Sequence, residues 1–346
     1  MLLHFFPIYF VLLYDKSVFL NPVMVSIEEI QAPIQEELKA FDKHFREAMK
    51  SKVLLLDIIT QNIIKRKGKQ IRPLFVLLSA KLCGGITSAT YRGAALVELL
   101  HTATLVHDDV VDDADERRGF FSISALWKNK AAVLVGDFLL SRGLLMSLEY
   151  DDFALLKIVS QAVREMSEGE LLQMQKARKL NIDEPIYFEI IRQKTASLIA
   201  ACCACGAASA TQDVHIIEKM RQFGEHVGMA FQIKDDLLDY GTDDIGKPLG
   251  IDIKERKMTL PLIHALNQAG RTERHRIVNI IRNHNEDKKK VNEVIRFVKG
   301  YNGIGYSQEM MKEYMQKALH ELEIFPESEI KQKLIDLVHY TIERNK

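Results

Sequence analysis

The chain has 346 residues, of which 47% are hydrophobic, enough for one large core or two smaller ones and too many for an intrinsically disordered protein. Lys and Arg together number 47, as do Asp and Glu, so the formal net charge is zero. The overall balance therefore gives no support to nucleic acid or an anionic surface as a partner, and any basic function must be local.

The N-terminal segment differs from the rest of the chain. Residues 1–13 are nearly all apolar, but the run is too short to span a bilayer. No Lys or Arg precedes it, so it lacks the basic start of a signal peptide. We expect Met24 to be the native start, with residues 1–23 an apolar extension and 24–346 a single domain.

From about residue 26 onward, apolar residues recur at helical spacing and alternating β-branched runs are missing, which predicts an all-α domain. Two helices have a proline in the first turn, Pro185 and Pro261, with Asp183 and Thr259 as candidate N-caps. The predicted helices cover 27–50, 53–66, 71–83, 88–112, 123–149, 152–178, 185–207, 212–240 and 259–268, with more in the C-terminal third.

Three of the four cysteines lie close together in an Ala-rich run, at Cys202, Cys203 and Cys205. This spacing suits neither a disulfide framework nor a tetrahedral zinc site. It favours small core residues in a reducing, cytoplasmic compartment.

Two aspartate-rich stretches share the form Asp-Asp-x-x-Asp, each after an apolar run. On a helix, residues three and four apart share a face, so each stretch forms a carboxylate cluster. Like charges at this spacing cost a few tenths of a kcal/mol per pair, which calls for a compensating cation. Mg²⁺ takes oxygen ligands and is held by one or two carboxylates plus substrate phosphates. The first cluster is Asp108, Asp109 and Asp112; the second is Asp235, Asp236 and Asp239.

Basic residues follow both clusters. Arg117 and Arg118 come after the first, and the glycine-bearing stretch after the second contains Lys247 and Lys257. Arginine binds phosphate oxygens through two parallel hydrogen bonds, and lysine supplies a point charge. A third basic patch, 65–73, precedes an apolar helix and is a candidate site for a second anion.

Five motifs together resemble the trans-isoprenyl diphosphate synthases, most closely the long-chain, octaprenyl-type polyprenyl diphosphate synthases that make quinone side chains. The resemblance runs from about residue 26 to the C-terminus, and five motifs in the family's order are very specific. The motifs are 68–73 (Gly-Lys-Gln-Ile-Arg-Pro), 101–118, Gly136-Asp137, Lys194-Thr195, and 231–236 (Phe-Gln-Ile-Lys-Asp-Asp).

The resemblance implies a single large helical bundle of the isoprenoid synthase type around a central substrate cavity, usually a homodimer. The two aspartate motifs would face each other across the mouth of this cavity. It implies a prenyltransferase that condenses isopentenyl diphosphate with an allylic prenyl diphosphate, using three Mg²⁺ ions. Contact with a membrane would be at most transient, during product release.

The resemblance also assigns roles by motif position. Asp108, Asp112 and Asp235 would bind Mg²⁺ directly, with Asp109, Asp236 and Asp239 supporting them. Arg117, Lys194 and Lys257 would grip the allylic diphosphate, with Lys247 as a further charge from the loop. Lys69, Arg72, His101 and Arg118 would hold isopentenyl diphosphate. Thr195 and Gln232 would stabilise the allylic cation by their dipoles.

Small side chains precede the first cluster. Ala103 lies five residues before Asp108, and Thr104 lies one helical turn before it. In the family an aromatic residue at either position blocks the hydrocarbon tunnel and gives short products. We therefore expect an open tunnel and a long product, and Ala103→Phe should shorten it.

Several alternatives stay open. A shorter-chain farnesyl or geranylgeranyl diphosphate synthase differs only in tunnel length. A class I terpene cyclase shares the ionisation chemistry but does not need Lys69, Arg72 and a second complete cluster. A metal-dependent phosphohydrolase of the histidine-aspartate type, suggested by His107-Asp108, leaves the second cluster unexplained. A non-catalytic partner subunit would usually have lost aspartates. The chain departs from the family at Arg256, where many members have glycine before the lysine.

Overall fold

The computed structural model describes residues 25–65, 68–111, 116–117, 120–177, 180, 182–241 and 249–343, with only the backbone given for residues 116, 117, 120, 121 and 343. The helices are α1 Ile27–Gln31, α2 Gln35–Ala48, α3 Leu54–Lys65, α4 Ile71–Cys83, α5 Ser88–Val111, α6 Ile123–Glu149, α7 Phe153–Ala177, α8 Glu184–Ile191, α9 Ser197–Ala210, α10 Val214–Leu238, α11 Ile251–Lys254, α12 Leu260–Gln268, α13 Arg271–Asn283, α14 Lys288–Gly300, α15 Gly303–Glu321 and α16 Glu329–Glu343.

The all-α prediction is confirmed, with three predicted helices interrupted; in one of them, α6, Lys128 has a non-helical backbone with a φ of 71°. A 3₁₀ turn, Ala32–Ile34, separates α1 from α2, because Pro33 cannot donate a helical hydrogen bond. A π-helical turn, Arg192–Ala196, separates α8 from α9. A small antiparallel hairpin also follows the first aspartate cluster, where β1 Glu116–Arg117 pairs with β2 Phe120–Phe121.

One of the two predicted N-caps forms a capping hydrogen bond, and the other does not. The Asp183 carboxylate accepts from the backbone N–H of Ile186 at 3.0 Å and so caps α8 as predicted. Thr259 stands at the N-cap of α12 but forms no capping hydrogen bond. Its hydroxyl lies 2.7 Å from the hydroxyl of Tyr240 instead, a buried contact that sequence spacing does not reveal.

Helix α10 contributes side chains to two hydrophobic cores. Phe223 and Val227 pack into the larger core with α2, α4, α5 and α9. Ile233 and Leu237 pack into the smaller core with α8, α12 and α14. Helix α10 therefore ends within the smaller core. Cys202, Cys203 and Cys205 are free and buried in the larger core, as predicted, and burial raises the pKa of Cys202 to about 12.

Helices α5 and α10 run in the same direction, because each is antiparallel to α9. At the start of α5, the hydroxyl of Thr90 lies 2.7 Å from that of Ser209 near the end of α9. A short link then leads from α9 into α10, and Gly228 of α10 lies against Ala196 at the other end of α9. Counted from Thr90 on α5 and from Val214 at the start of α10, Asp108 and Asp235 lie 18 and 21 residues, or about 27 and 32 Å, toward the same end of the bundle.

Helix α6 is apolar in composition, and part of its apolar surface is exposed. Among the described residues it is the one helix long and apolar enough to cross a membrane, and 33% of its most apolar window is buried within the chain. Its exposed large apolar side chains are Leu126, Val133, Leu134, Leu144, Leu145 and Leu148.

Candidate active site

A cavity of about 100 Å³ lies beside the end of α10. The π-helical turn contributes two of its lining residues, and such turns often occur at functional sites because the extra residue redirects neighbouring side chains. The cavity brings together six residues that the sequence motifs predicted: Lys194, Thr195, Gln232, Asp235, Asp236 and Lys257.

Close packing fixes the π-helical turn against α10. A Cβ atom on Gly228 would lie 2.4 Å from the Cα of Ala196, so only glycine permits this approach. The approach places the Thr195 hydroxyl where it donates to the Gln232 side-chain oxygen at 2.8 Å. Gln232 is thereby oriented for a second hydrogen bond to Asp236.

Asp236 is the buried member of the second cluster, with 6% of its surface exposed. Its carboxylate accepts a hydrogen bond from the Tyr187 hydroxyl at 2.7 Å and another from the Gln232 amide at 2.9 Å. Burial raises the pKa of Asp236 to about 7, although these two hydrogen bonds oppose the rise. Asp235, next to it, is exposed at the cavity.

Asp239 closes the second cluster by capping α11. Its carboxylate accepts from the backbone N–H groups of Ile251 at 2.7 Å and Asp252 at 3.2 Å. Burial, together with the nearby Asp252 carboxylate, raises the pKa of Asp239 to about 6. The cap holds the chain so that Asp252 and Lys257 also line the cavity.

Both lysines of the cavity are paired with carboxylates. The ammonium group of Lys194 lies 2.5 Å from the Glu170 carboxylate and donates to Gln173 at 3.3 Å. That of Lys257 lies 2.5 Å from Glu255 and 3.5 Å from Asp252. Burial alone would lower the pKa of Lys257, but Glu255 and Asp252 outweigh it and raise the pKa. Lys257 therefore stays charged at neutral pH.

Arg256, the residue that departs from the family pattern, has a backbone φ of 58°. This left-handed conformation costs an L residue with a Cβ atom about 1–2 kcal/mol and costs glycine little. The family's glycine thus has a physical reason at this position, and the chain reaches the same loop conformation with an exposed arginine.

The first cluster lies at the end of α5, where Asp108 is exposed and Asp109 is 4% exposed. The preceding residue, His107, reaches α6, with its Nε2 atom 3.2 Å from the Val133 carbonyl oxygen. A Cβ atom on Gly136 would lie 2.1 Å from this Nε2 atom. The Gly136-Asp137 motif therefore gives the imidazole room beside α6.

Other predicted residues of this region lie at or near the first cluster. His101 and Thr104 are half-buried on α5, and the Thr104 hydroxyl donates to the His101 carbonyl oxygen at 2.8 Å. Ala103 is fully buried in the larger core. Asp112, Arg118 and Lys247 lie outside the described residues, and of Arg117 only the backbone, in β1, is described.

The loop before α4 is held by three different helices. The Lys69 ammonium group lies 5.2 Å from the ring centroid of Tyr340 on α16. Gln70 adopts a φ of 52°, and its amide donates to the Asp42 carboxylate of α2 at 2.8 Å. Arg72 lies 3.7 Å from Glu98 of α5, one helical turn before His101.

Sequence reasoning missed the residues that support these groups. No local motif marks them, because all of them except Asp252 are at least 21 positions along the chain from the group they contact. The one available signal was the acidic residue Asp252 within the glycine-bearing stretch after the second cluster. The missed residues are Asp42, Glu98, Glu170, Gln173, Tyr187, Asp252 and Tyr340.

The donor chemistry fits a divalent cation. Asp108 and Asp235 are exposed carboxylates at the same end of the bundle, and hard cations prefer oxygen ligands. Within the described part of the chain, no three carboxylate, imidazole or thiol groups form a complete metal cage. Mg²⁺ takes one or two carboxylates and completes its shell with water and substrate phosphates, so Asp108 and Asp235 are suitable ligands.

The comparisons with known proteins agree with this site. A family model described as polyprenyl synthetase matches residues 53–298. An all-trans-nonaprenyl-diphosphate synthase (geranyl-diphosphate specific) from Rhodobacter capsulatus is 38% identical over 320 residues, covering 92% of this chain and 98% of the relative. Heptaprenyl diphosphate synthase component 2 from Geobacillus stearothermophilus is 35% identical over 316 residues, covering 90% and 97%.

A solved structure gives the same fold. A polyprenyl synthase from Caulobacter crescentus CB15, crystallised with calcium and isoprenyl diphosphate, superimposes with a TM-score of 0.84 at 32% identity, covering 93% of this chain and 99% of that one. The chain therefore belongs to the polyprenyl synthetase family of prenyltransferases, enzymes that use a divalent metal.

Proposed function

We propose that this enzyme makes a long-chain all-trans polyprenyl diphosphate for quinone side chains by repeated addition of isopentenyl diphosphate to an allylic diphosphate, with Mg²⁺ as the metal. The observation that carries the proposal is the cavity in which Lys194, Thr195, Gln232 and Asp235 converge, at the same end of the bundle as Asp108. The nonaprenyl and heptaprenyl products in the names of its relatives support a long product.

The residues have distinct proposed roles. Asp108, Asp112 and Asp235 would hold the Mg²⁺ ions, three in number, which supply positive charge to the allylic diphosphate as its carbon–oxygen bond breaks. Lys194 and Lys257 add charge to the leaving diphosphate, together with Arg117 and Lys247. Lys69, Arg72, His101 and Arg118 hold isopentenyl diphosphate, whose double bond attacks the allylic cation. The departing diphosphate takes the proton that is then lost.

The hydrogen bonds around Gln232 suit a role beside the cation. Its amide donates to Asp236, and its oxygen accepts from Thr195. An amide oxygen has two lone pairs, so one remains to stabilise positive charge. The network fixes this dipole before the substrate binds, and a preorganised dipole needs no reorganisation during the reaction.

Product analysis tests the proposal. Purified protein, Mg²⁺, labelled isopentenyl diphosphate and farnesyl diphosphate should give a ladder that ends at one long prenyl diphosphate in mass spectra. A chelator should stop the reaction. Lys69→Ala should raise the KM for isopentenyl diphosphate more than that for the allylic diphosphate. No elongation by folded protein would contradict the proposal and favour the partner-subunit or cyclase alternatives.

Product length has its own test. Ala103→Phe should shorten the product if the tunnel passes this position. Because Ala103 is fully buried, the larger ring should also cost about 1–3 kcal/mol of stability. Thermal melting must therefore accompany the product analysis. A folded variant with an unchanged product would reject a tunnel at Ala103, and a wild-type ladder that ends at farnesyl or geranylgeranyl diphosphate would reject the long-chain assignment.

A second copy of the chain is the proposed cover for the exposed face of α6. Between residues 131 and 148 the helix has only two charged side chains, Asp137 and Arg142. A self-complementary apolar face suits a two-fold dimer. Light scattering should give a dimer, and Leu134→Glu should shift it to a monomer. A monomeric wild type would favour a different partner subunit, as the component name of the Geobacillus relative indicates for that protein.

A further inference from the structure

The hairpin of α2 and α3 has an apolar tip. Residues 49–53 link the two helices, and large apolar side chains stand exposed where α3 begins. The exposed fractions are 61% for Val53, 75% for Leu54, 53% for Leu55 and 44% for Ile58. Leu54 and Ile58 lie on one face of α3, one turn apart. A continuous apolar patch of this kind marks an interaction surface, whereas single exposed apolar residues do not.

Basic side chains run along the same hairpin. Lys39, Lys43 and Arg46 follow one another at helical spacing along α2, and Lys50 follows in the link. They line an open groove of about 410 Å³ together with Asp42, Glu47 and Gln61. Gln61 continues the α3 face that carries Leu54 and Ile58, so the groove and the apolar tip adjoin each other.

The charges of this groove are mainly positive. Lys39 pairs with Glu36 at 2.7 Å, and Asp42 accepts from Gln70. Within the described ranges, Lys43, Arg46 and Lys50 form no ion pair with a carboxylate. Four cations and the two carboxylates of Asp42 and Glu47 line the groove, so its net charge is +2. Exposed Lys52 adds a further cation in the link itself.

We propose that this hairpin docks the protein on an anionic phospholipid bilayer. An apolar tip flanked by lysines is the composition of an interfacial anchor, with apolar side chains at the acyl boundary and cations on the headgroups. Each Lys or Arg near an anionic surface strengthens binding by about fivefold. This role rests on the proposed function: docking would bring the enzyme to the lipid bilayer, which dissolves a long hydrocarbon product.

The charge distribution argues against a second copy as the occupant. A two-fold contact places a patch against itself, so the basic stripe of one hairpin would face the basic stripe of the other. Such like-charge juxtaposition opposes association. The face of α6 lacks this stripe.

Vesicle binding by the full chain tests the docking. Sedimentation with phosphatidylcholine vesicles containing about 30 mol% phosphatidylglycerol should retain the protein at least about tenfold better than pure phosphatidylcholine. About 0.5 M salt should weaken the binding, because it screens exposed charges. Binding to both vesicle types alike would point to the apolar residues 1–23 or to non-specific adsorption and would overturn the proposal.

Matched variants locate the surface. Lys50→Glu with Lys52→Glu should lower binding at least about tenfold, by loss of two attractive charges and gain of two repulsive ones. Lys288→Glu with Lys289→Glu, an equal charge change at exposed residues of α14, should stay within about twofold. Equal losses of vesicle binding in the two double variants would mean that only the net charge of the protein matters. This result would reject the hairpin as the docking site.

The apolar tip needs a separate variant. Leu54→Ser with Leu55→Ser should also weaken vesicle binding about tenfold, because apolar area no longer leaves water. Both residues are exposed, so the melting temperature should change little. Unchanged binding would reject the tip as an anchor, and a change of molar mass in light scattering would assign the patch to a subunit contact instead.

Discussion

The two aspartate clusters share a pattern of exposure but differ in what supports them. In each, the first aspartate is exposed and the second is buried, Asp108 and Asp109 on α5 and Asp235 and Asp236 on α10. In the second cluster, Tyr187 and Gln232 donate hydrogen bonds to the buried carboxylate of Asp236. In the first, His107, which precedes the aspartates, rests against the neighbouring helix α6.

The difference teaches that one motif can be positioned in two ways. The second cluster is held by hydrogen bonds to its carboxylates, and those from Tyr187 and Gln232 limit the rise that burial causes in the pKa of Asp236. The helix of the first cluster is held by a side chain packed against a glycine. We expect some substitutions to have the same effect on activity in both clusters, and others to affect stability or metal affinity in only one of them.

The largest expected effect is the same in both clusters. Asp108→Asn and Asp235→Asn should each lower kcat about a thousandfold, because each removes an anionic metal ligand. Both side chains are exposed, so the free energy of unfolding should change by less than about 0.5 kcal/mol.

Product formation at saturating Mg²⁺ measures this effect. Asp151→Asn is the control, since Asp151 is exposed in a left-handed turn that asparagine tolerates, and it should keep full activity. Activity within tenfold of the wild type in either cluster variant would remove that aspartate from the proposed metal site.

Glycine substitutions should separate the two clusters by stability. Gly228→Ala should cost about 3 kcal/mol, because its Cβ atom would meet the backbone of Ala196. Gly136→Ala should cost about 1 kcal/mol, because the conflicting group is the His107 ring, which can rotate away. Urea unfolding measures both values, and equal costs would show that the His107 ring is held as rigidly as backbone.

Loss of one hydroxyl should affect the second cluster alone. Tyr187→Phe removes a hydrogen bond to Asp236, and such supporting contacts typically change metal affinity 10–100-fold; we expect about tenfold weaker apparent Mg²⁺ affinity. Tyr301→Phe is the control, because its hydroxyl donates to Glu273 at 2.6 Å in a similar pair away from the cavity. Activity against Mg²⁺ concentration distinguishes them, and coincident curves would exclude Tyr187 from metal positioning.

The pH dependence of stability should report Asp236. Burial raises its pKa from 3.8 to about 7, so the folded protein holds this proton more tightly than the unfolded chain. Its contribution is present at low pH and is lost as pH rises from about 4 to about 7, by up to about 1.4 kcal/mol per pH unit.

The measurement is the difference in unfolding free energy between wild type and Asp236→Asn, both treated with a chelator. Asp239 and Asp252 titrate in both proteins, so their effects largely cancel. The difference should fall between pH 4 and 7 and become flat above. A pH-independent difference would mean that Asp236 is ionised throughout.

Local sequence motifs predicted the residues proposed to contact metal or substrate. They did not predict the residues that position those side chains. Asp235, Lys194 and Thr195 stand in recognisable motifs, and helical periodicity gave their elements to within a few residues. Tyr187 precedes Asp236 by 49 positions, and no spacing rule joins them. Their contact depends on how α8 packs against α10, which is a property of the tertiary structure.

The π-helical turn was missed for a related reason. The predicted helix 185–207 has continuous helical periodicity, and the turn arises where Gly228 of α10 lets Ala196 approach. A glycine on one helix thus permits the close approach of a turn on another helix. In contrast, the departure at Arg256 was visible in the sequence, because it replaces a residue type that has a known backbone preference.

The smallest expected effect comes from that departure. Arg256→Gly should raise the free energy of unfolding by about 0.5 kcal/mol, because relief of the left-handed conformation, about 1–2 kcal/mol, exceeds the entropy cost of glycine, about 0.5–1 kcal/mol. Asn302→Gly is the control, since Asn302 has a similar φ of 55° but asparagine tolerates it, and the change should be near zero. The conformation of the second cluster's loop should be unaltered, so kcat should stay within about twofold. A loss of activity in Arg256→Gly without loss of stability would mean that the guanidinium itself contacts diphosphate. Arg256 would then be a second substrate-binding cation beside Lys257.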